Sequence, residues 1–509
     1  LFLQSFFKSI TIKTWITIHK IFWIRLWLSP KGEGLLLRNK RKPIMTDNNV
    51  NIMDKIVALA KRRGFIFPGS EIYGGVANTY DYGPMGSELL RNIRNAWWAF
   101  FVHQRDDIVG LDASIISSHK VWDASGHTAG FSDAMIDCKN CKSRYRADHI
   151  IEDYFEKKGQ EQKVEGLSPE EFNEIIQKEQ ILCPKCGVKP SQWTDVRKFN
   201  LLFPVHLGIV EGDQSLAYLR GETAQGIFIN FKNVTDSTRV RLPFGVAQLG
   251  KSFRNEITLG NSIFRTIEFE QGEIEYFFDP NKQNWEEIFE SWKKAMWEFA
   301  NDVLKVRAEN LRWREHSDEE RSFYSKRTED MEYQYPFGFK ELWGLAYRTD
   351  YDLTQHQTHS GKDLTIIDPE TNQKVLPHVI EPAVGINRLM LMVLVDAYTN
   401  DNGREFLKLA PKLAPYKVAV FPLLANKPEL IDKAKALYNT LKKEMTVAWD
   451  ARGNIGKRYA AQDEIGTPFC ITVDFDTLND EAVTVRLRDT ATQERIKISE
   501  LQTYLKSKI

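Results

Sequence analysis

A chain of 509 residues with 42% hydrophobic, 12% aromatic and 27% charged residues has length for about three domains of ~150 residues and is too apolar for intrinsic disorder, which excludes a single small binding module. Its zero net charge hides a split: residues 1–44 hold nine Lys or Arg against Glu33 alone, leaving 60 basic and 68 acidic residues in the remainder. A body of that sign repels a polyanion on average, so any nucleic acid must be bound through local patches.

Residues 1–44 are rich in aromatics such as Phe2, Trp15 and Trp27, and ordinary amphipathic patterning begins only after Met45. Lys8, Lys13, Lys20 and Arg25 interrupt every apolar run well short of the ~20 residues of a membrane span. A transit peptide is conceivable although Ser is scarce. The expectation is a translated leader or artefactual extension outside the fold, with Met45 as the start. From Met53 to Arg63 the apolar spacing suits a short helix closed by Gly64. Residues 86–103 repeat the pattern over a broad face (Leu89, Leu90, Ile93, Trp97, Phe100, Phe101), suited to burial against a sheet or a partner subunit.

Four of the five cysteines form two Cys-x-x-Cys pairs, Cys138 with Cys141 and Cys183 with Cys186. Two thiolate pairs on tight turns suit a tetrahedral structural Zn²⁺ site in a reducing, cytoplasmic setting. The bland alternative is two chance pairs of reduced thiols. The gap of 41 residues between the pairs exceeds the common ~15 to 20, so an insertion spanning 136–200 is expected around the knuckle. Within it, Ser168-Pro169-Glu170-Glu171 places a cap before an N1 proline and first-turn acids. Cys470 lies in an apolar run and reads as a packed strand residue.

Arg239–Leu242, Gly245–Asn255, Ser262–Phe269 and Glu273–Phe278 are rich in β-branched and aromatic residues and are predicted strands of an antiparallel sheet. Trp285–Arg312 is predicted as one long helix, and 313–335 as a charged, solvated excursion, together a helical insertion over 280–340. After Pro411 and Pro415 the pattern alternates: strand Val418–Leu424, helix Pro428–Glu444, strand Thr446–Asp450, helix Ile455–Ile465, strands Phe469–Asp474 and Val483–Leu487, helix Ser499–Lys506. That is a compact α/β domain over 413–509.

Gly453–Lys457 lacks the spacing of a phosphate loop, and no Gly-x-Gly-x-x-Gly follows a strand. The unusual feature is charge within the predicted sheet: Arg254 and Glu256 share one side-chain face, as do Gln271, Glu273 and Glu275. Such a face is either exposed, with cross-strand ion pairs, or a polar ligand site.

These residues carry a resemblance. Phe253-Arg254-Asn255-Glu256, the later Phe264-Arg265, and Gly385-Ile386-Asn387-Arg388 opening the apolar helix Leu389–Val395 resemble motifs 2 and 3 of class II aminoacyl-tRNA synthetases. Phe67–Gly75, Asp81–Pro84, Ala124–His127 and Arg220–Gly226 are similar to the dimeric (α2) type of glycyl-tRNA synthetase, and the similarity runs from about Asp54 to the C-terminus. The resemblance implies an α+β fold: a class II antiparallel-sheet catalytic domain over 45–412 with zinc-knuckle and helical insertions, and an anticodon-binding domain over 413–509.

It further implies a two-step reaction in which glycine and ATP form glycyl-adenylate, after which the 3′ end of tRNA(Gly) accepts the glycyl group. Arg254 and Arg388 would be the catalytic arginines, on the α-phosphate and the terminal phosphate. ATP, with Mg²⁺ bridging its phosphates, would be held by Arg254, Asn255, Glu256, Phe264, Arg265, Thr266, Ile267, Glu268, Phe269, Glu341, Leu342, Gly385, Ile386, Asn387 and Arg388. Glycine would be held by Arg146, Glu222, Phe269, Glu270, Gln271, Gly272, Glu273, Glu381, Pro382, Ala383, Val384 and Gly385. Three carboxylates, Glu222, Glu273 and Glu381, then surround its ammonium. Ala383 stands where relatives often have Ser. A homodimer without membrane attachment is implied, and the weighed alternative is a non-catalytic nucleic-acid-binding relative, which would be expected to lose Arg254 and Arg388.

Overall fold

Seven strands build the central sheet: β1 Ile108–Gly110, β2 Phe244–Phe253, β3 Glu268–Phe278, β4 Leu311–Glu315, β5 Arg327–Tyr335, β6 Gly338–Thr349 and β7 His378–Gly385. They lie in the order β4-β5-β6-β7-β3-β2-β1, antiparallel except for the β2–β1 pair. The computed structural model describes residues 52–509 apart from 161, 163, 165–166, 209–214, 257–259, 319 and 322–324. The expected leader, residues 1–44, lies outside the described residues.

Side-chain alternation gives this sheet two unlike faces. On β3, Ile274, Tyr276 and Phe278 enter the main core with Trp343, Leu345 and Tyr347 of β6 and Ile380 and Val384 of β7. Helices α1 Pro84–Trp98, α2 Trp285–Glu298 and α3 Ile386–Ala397 supply residues to that core, among them the fully buried Trp97 and Trp292. Truncating one such tryptophan would cost on the order of 3–5 kcal/mol. The other face is apolar only at one end, where Phe277 and Phe244 pack on Phe228 and Phe231 of the helix Ala224–Ser237. At its opposite end it carries Gln271, Glu273 and Glu275, all buried. The alternative of an exposed charged face is thereby excluded.

Helix α1 begins at Pro84, whose missing N–H costs nothing at N1, and continues beyond Trp98 as one wider turn over Ala99–His103. Leu89, Ile93, Trp97 and Phe101 are buried within this chain, so their apolar surface does not by itself call for a partner subunit. The cysteine insertion is bracketed by a three-stranded sheet of Ser132–Asp137, Arg144–Arg146 and Arg197–Asn200. Its helix Pro169–Lys178 starts in a reciprocal capping box between Ser168 and Glu171, as the local sequence requires.

Four expectations fail here. Arg239–Leu242 is loop, and the strand starts only at Phe244, after a proline that has no N–H for the ladder. Ser262–Phe269 is strand only at Glu268 and Phe269, where β3 begins: Ser262–Phe264 is a single tight turn whose first residue sits at φ 56°. The next residues bond elsewhere, with the Ile267 N–H donating to Asn78 O. The helix from Trp285 does not reach Arg312. It ends with a wider turn at Phe299–Val303, and Lys305 at φ 62° reverses the chain. Finally, much of 313–335 is no solvated excursion. Strands β4 and β5 complete the central sheet, and the buried Glu329, Asp330 and Glu332 pair with Lys293, His316 and Arg312. Of 280–340, only the part up to Val303 fits a helical insertion. Charge alternation reads as solvent exposure until the partners, supplied by other segments, are known.

The C-terminal sheet contains β8 Val418–Pro422, β9 Val447–Trp449, β10 Phe469–Val473, β11 Ala482–Leu487 and β12 Gln493–Lys497 in the order β9-β8-β10-β11-β12. Helices Pro428–Leu441, Ile455–Ile465 and Ile498–Lys508 accompany it. Cys470 is buried in β10 as expected. Strand β12 has no counterpart in the sequence reading because its polar, largely exposed side chains carry no hydrophobic alternation, as suits an edge strand.

Candidate active site

The polar end of the sheet floors a cavity of about 410 Å³. Cross-strand register places Gln248, Glu273, Ala383, Gly344 and Asp330 in one row across β2, β3, β7, β6 and β5. Gly344 and Ala383 leave open floor beside Glu273, because neither extends beyond a methyl group. One residue pair further along β3 and β7 lie Glu275 and Glu381.

Glu273 accepts from the Thr223 N–H at 2.8 Å, from the Thr223 hydroxyl, and from Gln271 Nε2 at 2.7 Å. Burial, with Glu381 and Glu222 nearby, nonetheless pushes its carboxyl up to about 8. Glu222 precedes the helix Ala224–Ser237 and lies 3.3 Å from His127 Nε2 and 3.0 Å from Gln225 Nε2. Burial opposes its charge, but His127, Arg348 and Gln225 prevail and hold it well below the usual carboxylate range. Glu381 is raised by burial against the pull of Arg348, whose Nη1 lies 3.0 Å away. Arg348 in turn grips both oxygens of Asp352, at 2.8 and 2.9 Å.

Arg254 follows β2 directly. Its Nε donates to Gly221 O at 3.0 Å and its guanidinium lies over the rings of Phe131 and Phe269, with no carboxylate partner among the described residues. Arg388 projects from the first turn of α3 across the Phe264 ring, 4.5 Å from its centroid, and pairs with Glu341 at 3.0 Å. That arginine keeps the Glu341 carboxyl below its ordinary range. Asn387 ties the helix start down by accepting from the Glu270 N–H at 2.7 Å and donating to the Tyr82 hydroxyl. Glu381 lies four residues, about 13 Å of strand, from Gly385, where the helix bearing Arg388 begins, and Glu273, opposite Ala383, lies about half as far. The cavity is bipolar.

Three family models match: "tRNA synthetase class II core domain (G, H, P, S and T)" over residues 209–397, "Anticodon binding domain" over 417–508 and "Glycyl-tRNA synthetase insertion domain 1" over 133–169. Similar proteins include the glycine–tRNA ligase of Clostridium tetani, 54% identical over 463 residues, and that of Alkaliphilus oremlandii, 53% identical over 465. Each alignment covers 90% of this chain and 98% of the relative. That of Clostridium beijerinckii is 51% identical over 464 residues with the same coverage. The chain belongs to the glycine–tRNA ligase family.

Of the site residues implied by resemblance to this family, the cavity wall contains Arg146, Glu222, Arg254, Glu256, Phe264, Arg265, Thr266, Phe269, Gln271, Glu273, Glu341, Glu381, Ala383, Val384, Gly385, Asn387 and Arg388. Others in the same runs point away. Glu270 pairs with Arg94 on the opposite face of β3, a β-carbon on Gly272 would face Trp97, Glu268 pairs with Lys251, and Leu342 and Ile386 are core residues. Asn255 and Ile267 are held through their backbones, to Leu201 O and Asn78 O, and Pro382 lies outside the wall. Along β3 the cause is strand period two: Phe269, Gln271 and Glu273 face the cavity while Glu268, Glu270 and Gly272 face the other way.

Arg348, Asp352, Gln225 and Gly344 were missed. Arg348 and Asp352 stand at i and i+4, a spacing that signals an ion pair on a helix, but Arg348 is the last residue but one of β6 and the pair forms across the strand-to-helix turn. The four cysteine sulfurs converge, all within 4.8 Å of one another, with Cys138 to Cys186 at 3.7 Å and Cys141 to Cys183 at 3.6 Å. A tetrahedron with Zn–S bonds of ~2.3 Å has sulfur edges of about 3.8 Å, so a metal fits this donor set. No helix among the described residues is long and apolar enough to cross a membrane.

Proposed function

We propose that this chain joins glycine to the 3′ end of tRNA(Gly) in two steps, through glycyl-adenylate. The bipolar cavity is the observation that carries this reading. Its carboxylate end suits an ammonium, its arginine end suits phosphates, and their separation suits one molecule carrying both. In the first step a glycine carboxylate oxygen attacks the α-phosphorus of ATP and pyrophosphate leaves. In the second, a terminal ribose hydroxyl of the tRNA attacks the glycyl carbonyl carbon and AMP leaves.

Arg254, with its terminal nitrogens uncommitted to any described carboxylate, would take the α-phosphate, and Arg388 the terminal phosphate. No covalent nucleophile is required, so catalysis is positioning plus fixed charge aimed at the transferring phosphoryl group. Mg²⁺ bound to ATP would neutralise phosphate charge. Glu341, ionised and half exposed to the cavity, is an oxygen donor of the hard type that this ion takes. Zn²⁺ would occupy Cys138, Cys141, Cys183 and Cys186 as a structural ion of the insertion.

The tRNA partner is supported by the anticodon-binding family match at 417–508. We further propose that the enzyme is a cytoplasmic homodimer, residues 45–412 forming its catalytic part and 413–509 its anticodon-binding part. Light scattering at micromolar concentration would test the dimer. ATP–pyrophosphate exchange measured with each of the twenty amino acids, followed by charging of tRNA(Gly), tests the activity. Exchange with glycine alone is expected, and exchange driven by another amino acid would overturn the reading.

A further inference from the structure

Behind the Glu273 end of the cavity lies Glu275, fully buried on β3, and neither of its carboxyl oxygens meets a hydrogen-bond donor among the described residues. The charged groups around this end come from every element packed on it. Carboxyls are contributed by Glu273 and Glu275 of β3, Glu381 of β7, Glu222 ahead of the helix Ala224–Ser237, and Asp352 of the helix Tyr351–Ser360. Facing them are Arg348 of β6, His127, and Arg254 and Arg220, with His356 beside Gln225.

Charge does not balance in this cluster. Arg348 is already shared by Asp352 and Glu381, and His127 serves Glu222. Arg220 donates to the Lys251 and Ala113 carbonyls and Arg254 to the Gly221 carbonyl, so neither makes a described contact with Glu273 or Glu275. Glu273 and Glu275 are therefore two buried carboxyls without an ion-pair partner among the described residues. Buried carboxyls in that position keep a proton unless a cation arrives. The two differ in what surrounds them. Three hydrogen-bond donors already converge on the oxygens of Glu273, which lines the cavity, and these stabilise it as an anion once a compensating charge is present. Glu275 meets no donor among the described residues and is not part of the cavity wall.

We propose that the ammonium of glycine enters in exchange for a proton: the Glu273 carboxyl, protonated in the free enzyme, gives its proton to solvent as the amino acid binds, while Glu275 keeps its own throughout. No bond other than the O–H of Glu273 breaks, and the proton passes to buffer. The inference rests on glycine occupying the carboxylate end. It adds that affinity for glycine is linked to pH through the enzyme's carboxyl group, in a range where the amino acid's own charge is constant. Burial raises Glu273 to about 8, which puts the exchange near neutrality. Neutral Glu275 serves as a positioning residue by withholding a negative charge that would compete with Glu381 for Arg348.

The test is isothermal calorimetry on the full-length enzyme with glycyl-sulfamoyl-adenosine, a stable adenylate analogue that carries the free ammonium. Running it in phosphate and in Tris, buffers of different ionisation heat, counts the protons. Release approaching one proton per site is expected at pH 7; because the analogue's own α-amino group titrates at ~8, net release should pass through zero about there and turn into uptake towards about pH 9. Adenosine 5′-sulfamate, which lacks the glycyl group, should release none. The Glu275→Gln variant should release as many protons as wild type. In pyrophosphate exchange, kcat/KM for glycine should rise about tenfold per pH unit below pH 8 and then level off. Tight binding without proton release, equal release by the sulfamate, or loss of release in Glu275→Gln would each overturn the exchange. Failure of the analogue to bind would instead sink the assignment of glycine to this cavity, and the exchange with it.

Discussion

Arg348 Nη1 lies 3.0 Å from Glu381 Oε2, while the same guanidinium holds both oxygens of Asp352. All three side chains are nearly inaccessible to solvent. A buried cation that satisfies two carboxylates orients one of them, Glu381, towards the cavity. Arg348→Ala leaves both acids buried and unpaired, a change that costs about 3–5 kcal/mol. We expect a lower urea midpoint together with a raised KM for glycine. An unchanged midpoint would show that water or rearrangement replaces the arginine.

Arg254→Ala and Arg388→Ala should retain the fold and lose adenylate formation. Each deletes a charge-assisted contact of the kind whose removal costs about 10²–10³ in rate. Circular dichroism should match wild type while pyrophosphate exchange collapses. Near-normal exchange in either variant would contradict its role.

Gly344 lies beside Ala383 in the cavity floor, and a β-carbon there would stand 3.7 Å from Asp330 Oδ1, an ordinary contact. Gly344→Ala should therefore fold normally while occupying space that glycine needs. A fall in kcat/KM for glycine by about tenfold or more is expected, in the ~1–3 kcal/mol range of one methylene. Because no smaller amino acid exists, exclusion by volume suffices, and deacylation of alanyl-tRNA should be undetectable.

Glu275→Gln should stabilise the protein at neutral and alkaline pH. Burial and then the neighbouring Glu381 raise the Glu275 carboxyl well above its ordinary value, so the folded state retains a proton that the unfolded chain releases. The native state is then favoured at pH below the ordinary glutamate range and loses this advantage as pH rises. Glutamine has no such titration. Denaturation midpoints of variant and wild type should converge near pH 4 and separate above it, and parallel pH profiles would refute the assignment.

Stripping metal from the cysteine cluster, or replacing Cys138 by Ser, should loosen the insertion selectively. Hydrogen exchange should speed up over residues 133–200 and stay unchanged in β8 to β12. Elemental analysis showing no zinc, with all four thiols reacting freely in the native protein, would refute a structural ion.

Much of the architecture was legible because it is encoded over a few residues. The Ser168 cap, the helical pattern over 86–103, the paired cysteines, the helix opened by Gly385-Ile386-Asn387-Arg388 and the alternation of the C-terminal domain all follow from hydrogen bonds and periodicities spanning about one turn or one strand. The two faces of β3 follow likewise: Gln271, Glu273 and Glu275 share a face whatever they pack against. Charge misled the sequence reading in β4 and β5, whose acids find Lys293, His316 and Arg312 only after folding.

What the sequence by itself determined is therefore the inventory: which side chains bear charge, which share a strand face, where helices start, and where four sulfurs come in pairs. Tertiary structure alone decided that the charged face of β3 is buried, that Arg348 rather than solvent answers Glu381, and which alternate residues of each motif see the cavity. The reason is one of range. Periodicity is set by neighbours a few residues away, whereas desolvation of Glu273 and Glu275 and the partners available to them come from strands and helices more than a hundred residues distant, brought together only by the sheet.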